Sequence, residues 1–267
     1  MNSIPRPRTP DLALTASIPP HWFGGDAFAT HIVNGVNLLF PAGERFFVRS
    51  VRRYLPQIED DAELTAQVRG FFGQEGRHAN AHERFFEVME AQGYSVSRFV
   101  EAYERIAYDQ IAARLPAALQ LSITVALEHY TAILGAAVLA DGVFAPAHPV
   151  IQRLMEWHAA EEIEHRAVAF DVLHKVRPSY ALRMAGLVVA TLTLASLWFF
   201  ATLMLMRQDT RLGRATRSSE VAATRPLGIL RNVFLRGMRE YVRPSFHPAQ
   251  NDTSKLAEDY LASVEAS

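Results

Sequence analysis

Two tetrapeptides in the sequence place a glutamate and a histidine three residues apart, Glu75-x-x-His78 and Glu162-x-x-His165. On a helix this spacing puts both side chains on one face, one turn apart. Carboxylates and imidazoles are ligands for divalent transition metals. Each pair interrupts an apolar helical stripe, where an ionised carboxylate is costly unless a cation compensates it. We therefore interpret both pairs as metal ligands.

Two further segments each offer one glutamate at an inward position. Glu128 is the ionisable member of the apolar stripe in 117–140, and the periodicity of 26–54 turns Glu44 inward, close to a kink expected at Pro41. This order of ligands on four helices is that of a dinuclear carboxylate bundle. The alternative is that the buried charges pair with one another. The predicted ligands are Glu44, Glu75, His78, Glu128, Glu162 and His165.

Two more histidines, His82 and His158, continue the ligand stripes by one turn. Each is interpreted either as an additional metal ligand or as a histidine that hydrogen-bonds a ligand from behind. Glu161 and Glu164 flank the second ligand pair but point away from its stripe. We expect them at the surface or behind the ligands.

Helical periodicity predicts the elements that must position these residues. Candidate helices cover 26–54, 61–92, 97–115, 117–140 and 149–176, with Gly and Pro at their ends and no convincing strand alternation. The predicted fold is all-α, with a metal-binding bundle over residues 26–178. Residues 1–25 contain five prolines and are predicted to be a lead-in without secondary structure.

The segment 184–206 carries no charge and defines a separate apolar helix within residues 179–207. At 1.5 Å per residue it is about 34 Å long, against about 30 Å for the hydrocarbon core of a bilayer. It predicts membrane association, with a buried helix or an oligomer interface as the alternative. The same helix could pair two chains in a homodimer.

An arginine-rich region, 208–267, follows the apolar segment. A single crossing would place these arginines outside the cell, against the positive-inside tendency. We therefore expect the protein at the cytoplasmic face, with arginines at anionic lipid headgroups, and keep a single span as the alternative. A solvated arginine face is the other interpretation of the region.

Composition excludes several other functions. The 267 residues include no cysteine, so disulfides, iron–sulfur clusters and thiol nucleophiles are excluded. The net charge of −1 gives no reason to expect nucleic acid as a partner. The sequence also lacks Gly-x-Ser-x-Gly and any Gly-x-Gly-x-x-Gly after a strand.

Several blocks of the sequence resemble the bacterial family of predicted metal-dependent hydrolases, in the ferritin-like superfamily. These blocks are PAGERFF (41–47), QEGRHANAH (74–82), ALEHYTA (126–132), WHAAEEIEHRAVAFDV (157–172) and RPSFHP (243–248). The resemblance spans residues 20–250 and implies a ferritin-like four-helix bundle with the six ligands named above. His247 lies in the last block, and its role is open.

Two chemistries compete for such a centre. A hydrolase would use a metal-bridging water against an ester or amide. An oxidoreductase would use two irons and O2, with an external reductant. Four glutamates and two histidines favour iron over manganese or zinc, and hence O2 chemistry, whereas the resemblance implies a hydrolase. A non-catalytic iron-binding protein is a third interpretation, but the apolar helix favours an enzyme with an amphiphilic, lipid-like substrate at the membrane surface.

Overall fold

A computed structural model of the chain describes residues 4–214 and 234–265. In these two ranges the regular secondary structure is helical, and the one pairing of β type is an isolated bridge between Phe23 and Ala147. The all-α prediction is therefore confirmed.

The longer helices of the described chain are numbered in chain order. They are α1 (Ala27–Asn37), α2 (Phe40–Arg52), α3 (Ala62–Ala91), α4 (Ser97–Glu104), α5 (Ala117–Asp141), α6 (Pro149–His165), α7 (Val168–Val176), α8 (Tyr180–Arg211), α9 (234–241) and α10 (Ser254–Glu265).

The predicted helix 26–54 is two helices, α1 and α2. The interruption falls at Leu38 and Leu39, two residues before the kink predicted at Pro41, and both keep right-handed helical dihedral angles; Pro41 lies in the first turn of α2. Proline is tolerated there because the first backbone donors of a helix have no partner within it. Glu44 lies on α2.

The predicted helix 149–176 is also divided, into α6 and α7. The guanidinium of Arg166 donates to the carbonyl of Ile163 at 2.5 Å, an oxygen that Ala167 would bind in a continuous helix. The division falls directly after His165. All residues predicted to be ligands therefore lie before it.

Two long helices match their predicted bounds closely. The side chain of Asp61 accepts a hydrogen bond from the backbone of Leu64 and caps α3. Pro116 precedes α5, and Gly142, in the left-handed conformation with φ of 55°, ends it. Both helices run through the core, so their inward faces supply three of the predicted ligands.

The apolar helix α8 is longer than predicted and packs along α1 and α5. A Cβ at Gly186 would overlap Ser122 of α5, and a Cβ at Gly35 of α1 would overlap Thr202. These close approaches require glycine. One face of α8 is thus part of the molecule rather than a separate element, and its other face carries exposed apolar side chains.

That outer face is an apolar stripe at helical spacing, formed by Val188, Leu192, Phe199 and Phe200, and we call it the outer stripe of α8. Leu192 is 65% exposed and Phe199 is 62% exposed. By length and composition α5 and α8 could each cross a membrane, which is weak support for membrane association. Because α5 is far more buried than α8, we treat α5 as a core helix.

A polar cluster ties the end of α8 to the start of the chain. Asp209 accepts hydrogen bonds from His21 at 2.7 Å, from His31 at 2.6 Å and from Tyr94 at 2.6 Å. Arg214 lies 3.6 Å from the same carboxylate. The cluster fixes α8 against α1 and the turn after α3.

Residues 4–25 contain no helix, as their prolines predict, yet they are packed structure rather than a loose leader. Leu12, Ile18, Trp22 and Phe23 are buried in the core. Of the arginine-rich region, α9 and α10 are described, whereas Arg217, Arg225 and Arg231 lie outside the described residues.

Candidate metal centre

The side chains of all six predicted ligands converge between α2, α3, α5 and α6. Each is at most 2% exposed. The predicted ligands lie on these helices as expected. Helices α3 and α6 each contribute a glutamate and a histidine one turn apart, and α2 and α5 contribute one glutamate each. The result is a buried cluster of carboxylates and imidazoles.

His165 is at the centre of three carboxylates. Its Nε2 lies 3.2 Å from Glu75, 3.3 Å from Glu128 and 3.5 Å from Glu162. Its Nδ1 is 2.9 Å from the side-chain oxygen of Gln74, which accepts the hydrogen bond. A neutral imidazole with its proton on Nδ1 presents a lone pair at Nε2, toward the carboxylates.

His78 has the same arrangement with its two nitrogens exchanged. Its Nε2 donates to Glu161 at 2.9 Å, so Nδ1 carries the lone pair. That Nδ1 lies 3.6 Å from Glu162 and 3.9 Å from Glu75. Again the outer nitrogen is fixed by an acceptor and the inner nitrogen faces carboxylate oxygens.

His158 is oriented through His82. The amide oxygen of Asn37 contacts Nδ1 of His82 and can only accept, so Nε2 of His82 accepts from Nδ1 of His158 at 2.6 Å. Nε2 of His158 lies within hydrogen-bond distance of Glu162, at 3.0 Å, and 3.7 Å from Glu44. His158 therefore belongs with the ligand-type residues, and His82 stands one layer behind it.

Many polar atoms in this cluster lack a hydrogen-bond partner among the described residues. They are both carboxylate oxygens of Glu44, Glu75 and Glu128, Oε2 of Glu162, Nδ1 of His78 and Nε2 of His165. Buried polar groups in native proteins are nearly always paired, and each unpaired one costs about 1–3 kcal/mol. A group that accepts lone pairs from all of them would remove this cost, which is what a metal ion does.

The pKa values of the glutamates also indicate that the cluster needs a cation. Burial and the neighbouring glutamates raise the pKa of Glu44 and Glu75 well above the usual range, and burial raises the pKa of Glu128 to about 7. Burial is the largest effect on the pKa of Glu162 and would raise it, but the charges and hydrogen bonds of His165 and His158 together lower it well below its usual range. Without a cation the four carboxylates are not all ionised at neutral pH.

The ligand atoms form overlapping groups of three that could each hold a metal ion. These groups are Glu44–His78–His158, Glu75–His78–Glu162 and Glu75–Glu128–His165, with the atoms of each group within 4.8 Å of one another. Oxygen and imidazole donors in this proportion suit iron, manganese or zinc. The residues therefore fit a bound metal by type, burial and spacing.

An apolar cavity of about 240 Å3 reaches this cluster from the side of α8. Glu162 and His158 line its inner end, while Trp198 and Leu194 of α8 line its other side. The rest of the lining is almost wholly apolar. An apolar cavity of about 150 Å3 is already large enough for benzene.

Sequence reasoning predicted Glu161 and Glu164 at the surface or behind the ligands, but it missed Gln74 and Arg8, which complete the shell around the histidines. Gln74 bridges His165 and Glu164, and Glu161 is fully buried rather than at the surface. Arg8 contacts both Glu161 and Glu164 from the N-terminal segment. Gln74 lies one turn before His78, so its place on the buried face of α3 was readable, whereas the contact with Arg8 was not.

Two other histidine sites lie apart from this cluster. His247 pairs with Asp171 of α7 at 2.8 Å and accepts from the backbone of Ala249, so it fastens the C-terminal segment. The group His21, His31 and Asp209 also has ligand-type spacing. Its carboxylate is already paired as described above, and the nearby Arg214 disfavours a cation there.

Comparison with known proteins gave one match. A family model described as predicted metal-dependent hydrolase matches residues 6–252. Comparisons with curated proteins and with solved structures gave no match.

Proposed function

The chain belongs to the family of predicted metal-dependent hydrolases, and we propose that it is an enzyme whose buried glutamates and histidines bind two metal ions. One observation carries the proposal. His78, His158 and His165 each have one ring nitrogen hydrogen-bonded to an acceptor and the other directed at carboxylate oxygens. Metal-binding histidines are typically held in this way.

The proposed ligands divide into two sets. Glu128 and His165 would hold one ion, and Glu44 with His78 the other. Glu75 and Glu162 lie between the two sets and are close to histidines of both. This is the ligand pattern of ferritin-like di-iron and di-manganese bundles, so we include a ferritin-like four-helix bundle of α2, α3, α5 and α6 in the proposal.

We propose His158 as an additional nitrogen ligand beside Glu44. Bound metal ions would lower the pKa of water and polarise a substrate ester or amide carbonyl. The chain itself fixes the tautomers of the histidines, keeps the carboxylates apart from bulk water and provides an apolar binding cavity that ends at Glu162 and His158.

The cavity supports an amphiphilic or lipid-like substrate. It runs from the inner face of α8 to the ligand cluster, and the outer stripe of α8 is exposed on the opposite face of the same helix. In the proposed arrangement the outer stripe contacts the cytoplasmic face of a membrane, and the apolar chain of a substrate passes beside α8 into the cavity.

A second candidate function is an O2-dependent di-iron oxidase or hydroxylase. The composition of the site, with four glutamates against two or three histidines, favours it because bundle sites of this kind bind iron. Such turnover would need an external reductant. A non-catalytic iron-binding protein is less well supported, because it has no use for the apolar cavity.

The deciding experiment is metal analysis of the full chain purified in mild detergent. About two zinc or manganese ions per chain, with hydrolysis of acyl esters, supports the hydrolase. About two irons per chain, with an optical change when the reduced protein meets O2, supports the oxidase. Absence of metal after reconstitution with each of these ions would overturn both.

A further inference from the structure

A second pocket opens onto the same ligand cluster from the opposite side of α2. It has a volume of about 510 Å3, and Glu44 and Glu75 line it together with Phe72. Val48 and Gly76 also line it, and four arginines give it a basic wall: Arg45, Arg49, Arg52 and Arg53. The apolar cavity uses Gly43, Phe46 and Phe47 of the same helix. The wall of α2 thus separates an apolar space from a basic one, and both reach the ligands.

The four arginines lie on one side of α2 and its C-terminal end, separated along the sequence by four, three and one residues. Like charges four residues apart destabilise a helix by a few tenths of a kcal/mol, so such a row needs compensation. Arg45 has it, because Glu83 and Glu104 pair with its guanidinium. Arg49, Arg52 and Arg53 have no carboxylate within ion-pair distance among the described residues.

Aromatic rings hold two of these three guanidinium groups in place. Arg49 lies over the ring of Tyr108 at 4.5 Å, and Arg52 lies over the ring of Phe72 at 5.1 Å. Stacking leaves the edge of a guanidinium free, and its N–H groups can then bind a phosphate or carboxylate with two hydrogen bonds. The guanidinium groups of Arg49 and Arg52 are therefore held in position beside the proposed metal centre.

We propose that this basic pocket binds the anionic head group of the substrate, a phosphate or a carboxylate, while the apolar chain of the same molecule occupies the cavity. The inference rests on the proposed function and makes it more specific: the substrate is an anionic amphiphile, and its reactive bond lies between head and chain. Because Glu44 and Glu75 face the same pocket, an anion binds well there only when metal ions neutralise them.

The test measures binding of two probes, inorganic phosphate and n-hexyl phosphate, to the metal-loaded full chain by calorimetry. Hexyl phosphate is expected to bind at least tenfold more tightly than inorganic phosphate, because its chain enters the cavity. Arg49→Gln and Arg52→Gln should each weaken hexyl phosphate about tenfold, the loss of one charge-assisted hydrogen bond. The control Arg98→Gln, on the exposed face of α4, should bind as the wild type does.

Hexanol has the apolar chain but no charged head group, so it tests binding in the apolar cavity separately from binding in the basic pocket. Its binding should be equal in the wild type and in both pocket variants. Equal binding of hexyl phosphate by variants and wild type, or no advantage of hexyl phosphate over inorganic phosphate, overturns the inference. Metal content is measured on the same samples: a wild type without metal overturns the proposed function, whereas full metal content with unchanged binding overturns the basic pocket alone.

Arg49 and Arg52 also lie in the last turn of α2, where a positive charge stabilises the helix. A purely structural role would lower the thermal midpoint of the variants and leave the affinity for hexyl phosphate unchanged. Arg49→Lys keeps the charge but loses the planar fork, so it should restore stability but only part of the affinity.

Discussion

The side-chain oxygen of Gln74 accepts a hydrogen bond from Nδ1 of His165 at 2.9 Å, and this bond directs Nε2 of the histidine at three carboxylates. Gln74→Leu removes the acceptor while keeping the approximate volume. We expect it to lower metal affinity by 10- to 100-fold, the usual effect of losing such a partner. Competition with a chromophoric chelator measures the change.

The variant Gln74→Glu keeps an acceptor for the same nitrogen and, like Gln74→Leu, loses the amide donor to Glu164, so the two variants differ in the bond to His165. It should bind metal at least ten times more tightly than Gln74→Leu. Equal affinities for the two variants would show that the bond to His165 does not orient the ring.

Removal of a central carboxylate should remove metal. Glu75 and Glu162 lie between the two proposed ligand sets, so Glu75→Ala or Glu162→Ala is expected to lose at least one metal ion per chain. Elemental analysis of each variant measures the loss. Glu87→Ala is the control, because Glu87 is an exposed residue of the same helix as Glu75. Full metal content in both central variants would contradict the proposed centre.

His82 should affect the centre without binding it. Both of its ring nitrogens are already occupied, by Asn37 and by His158. We expect His82→Ala to retain the metal but to change the visible spectrum of the cobalt-substituted protein, because His158 loses its orientation. His158→Ala should change the same bands more strongly. An unchanged spectrum for His82→Ala would reduce this histidine to a packing residue.

The metal-free chain should become less stable as pH rises above neutrality. The pKa of Glu44, Glu75 and Glu128 is raised in the folded protein, by burial first. A carboxyl with a raised pKa contributes stability below its unfolded value, and that contribution is lost as pH rises through the folded value. His165 acts in the same direction, since glutamates raise its pKa against the effect of burial.

The window for this measurement is pH 7.5 to 9. Burial lowers the pKa of His78 and His82 in the folded chain, and above about pH 7.5, roughly one unit above the ordinary histidine value, they are largely neutral in the unfolded chain too and add little slope. Urea unfolding at steps of pH should show a falling free energy of unfolding. Added metal should abolish or reverse the slope, because binding requires ionised carboxylates and releases protons. A flat profile without metal would contradict the burial argument.

Substitutions on the outer stripe of α8 should weaken membrane binding. Leu192→Ser and Phe199→Ser each remove a large exposed apolar side chain, and the double variant should bind phosphatidylcholine–phosphatidylglycerol vesicles at least tenfold less. Flotation of vesicles measures the change. Deletion of 184–206 is a poorer test, because α1 and α5 pack on this helix. Unchanged flotation of the double variant, still folded by circular dichroism, would remove the membrane from the proposal.

Much of the fold could be predicted from hydrophobic periodicity and from the residues that begin or end helices. The bounds of α3 and α5 follow from Asp61, Pro116 and Gly142, whose effects are local. Six charged or imidazole side chains at apolar positions could likewise be recognised as one cluster, because burial of such groups demands compensation. Their role as metal ligands stays a prediction, but their convergence follows from helix geometry alone.

The remainder depends on contacts between distant residues. The division between α6 and α7 depends on which group binds the carbonyl of Ile163, and no propensity reveals that choice. Arg8 reaches Glu161 across 153 positions of sequence. The prolines around Arg8 predicted irregular chain correctly, but irregular chain can still be buried when its side chains find a surface to cover.

The cluster around Asp209 also determines when the molecule can be completed. His21 and His31 precede their partner Asp209 by 188 and 178 positions, so both are synthesised well before it. Contacts at such separation form late, because ordering so long a loop costs entropy before any bond repays it. Until then α1 and the inner face of α8 are not packed on each other, and the nascent chain exposes apolar surface that is buried in the complete structure. The pairing of α1 with α8 is therefore expected to form only after Asp209 has been synthesised.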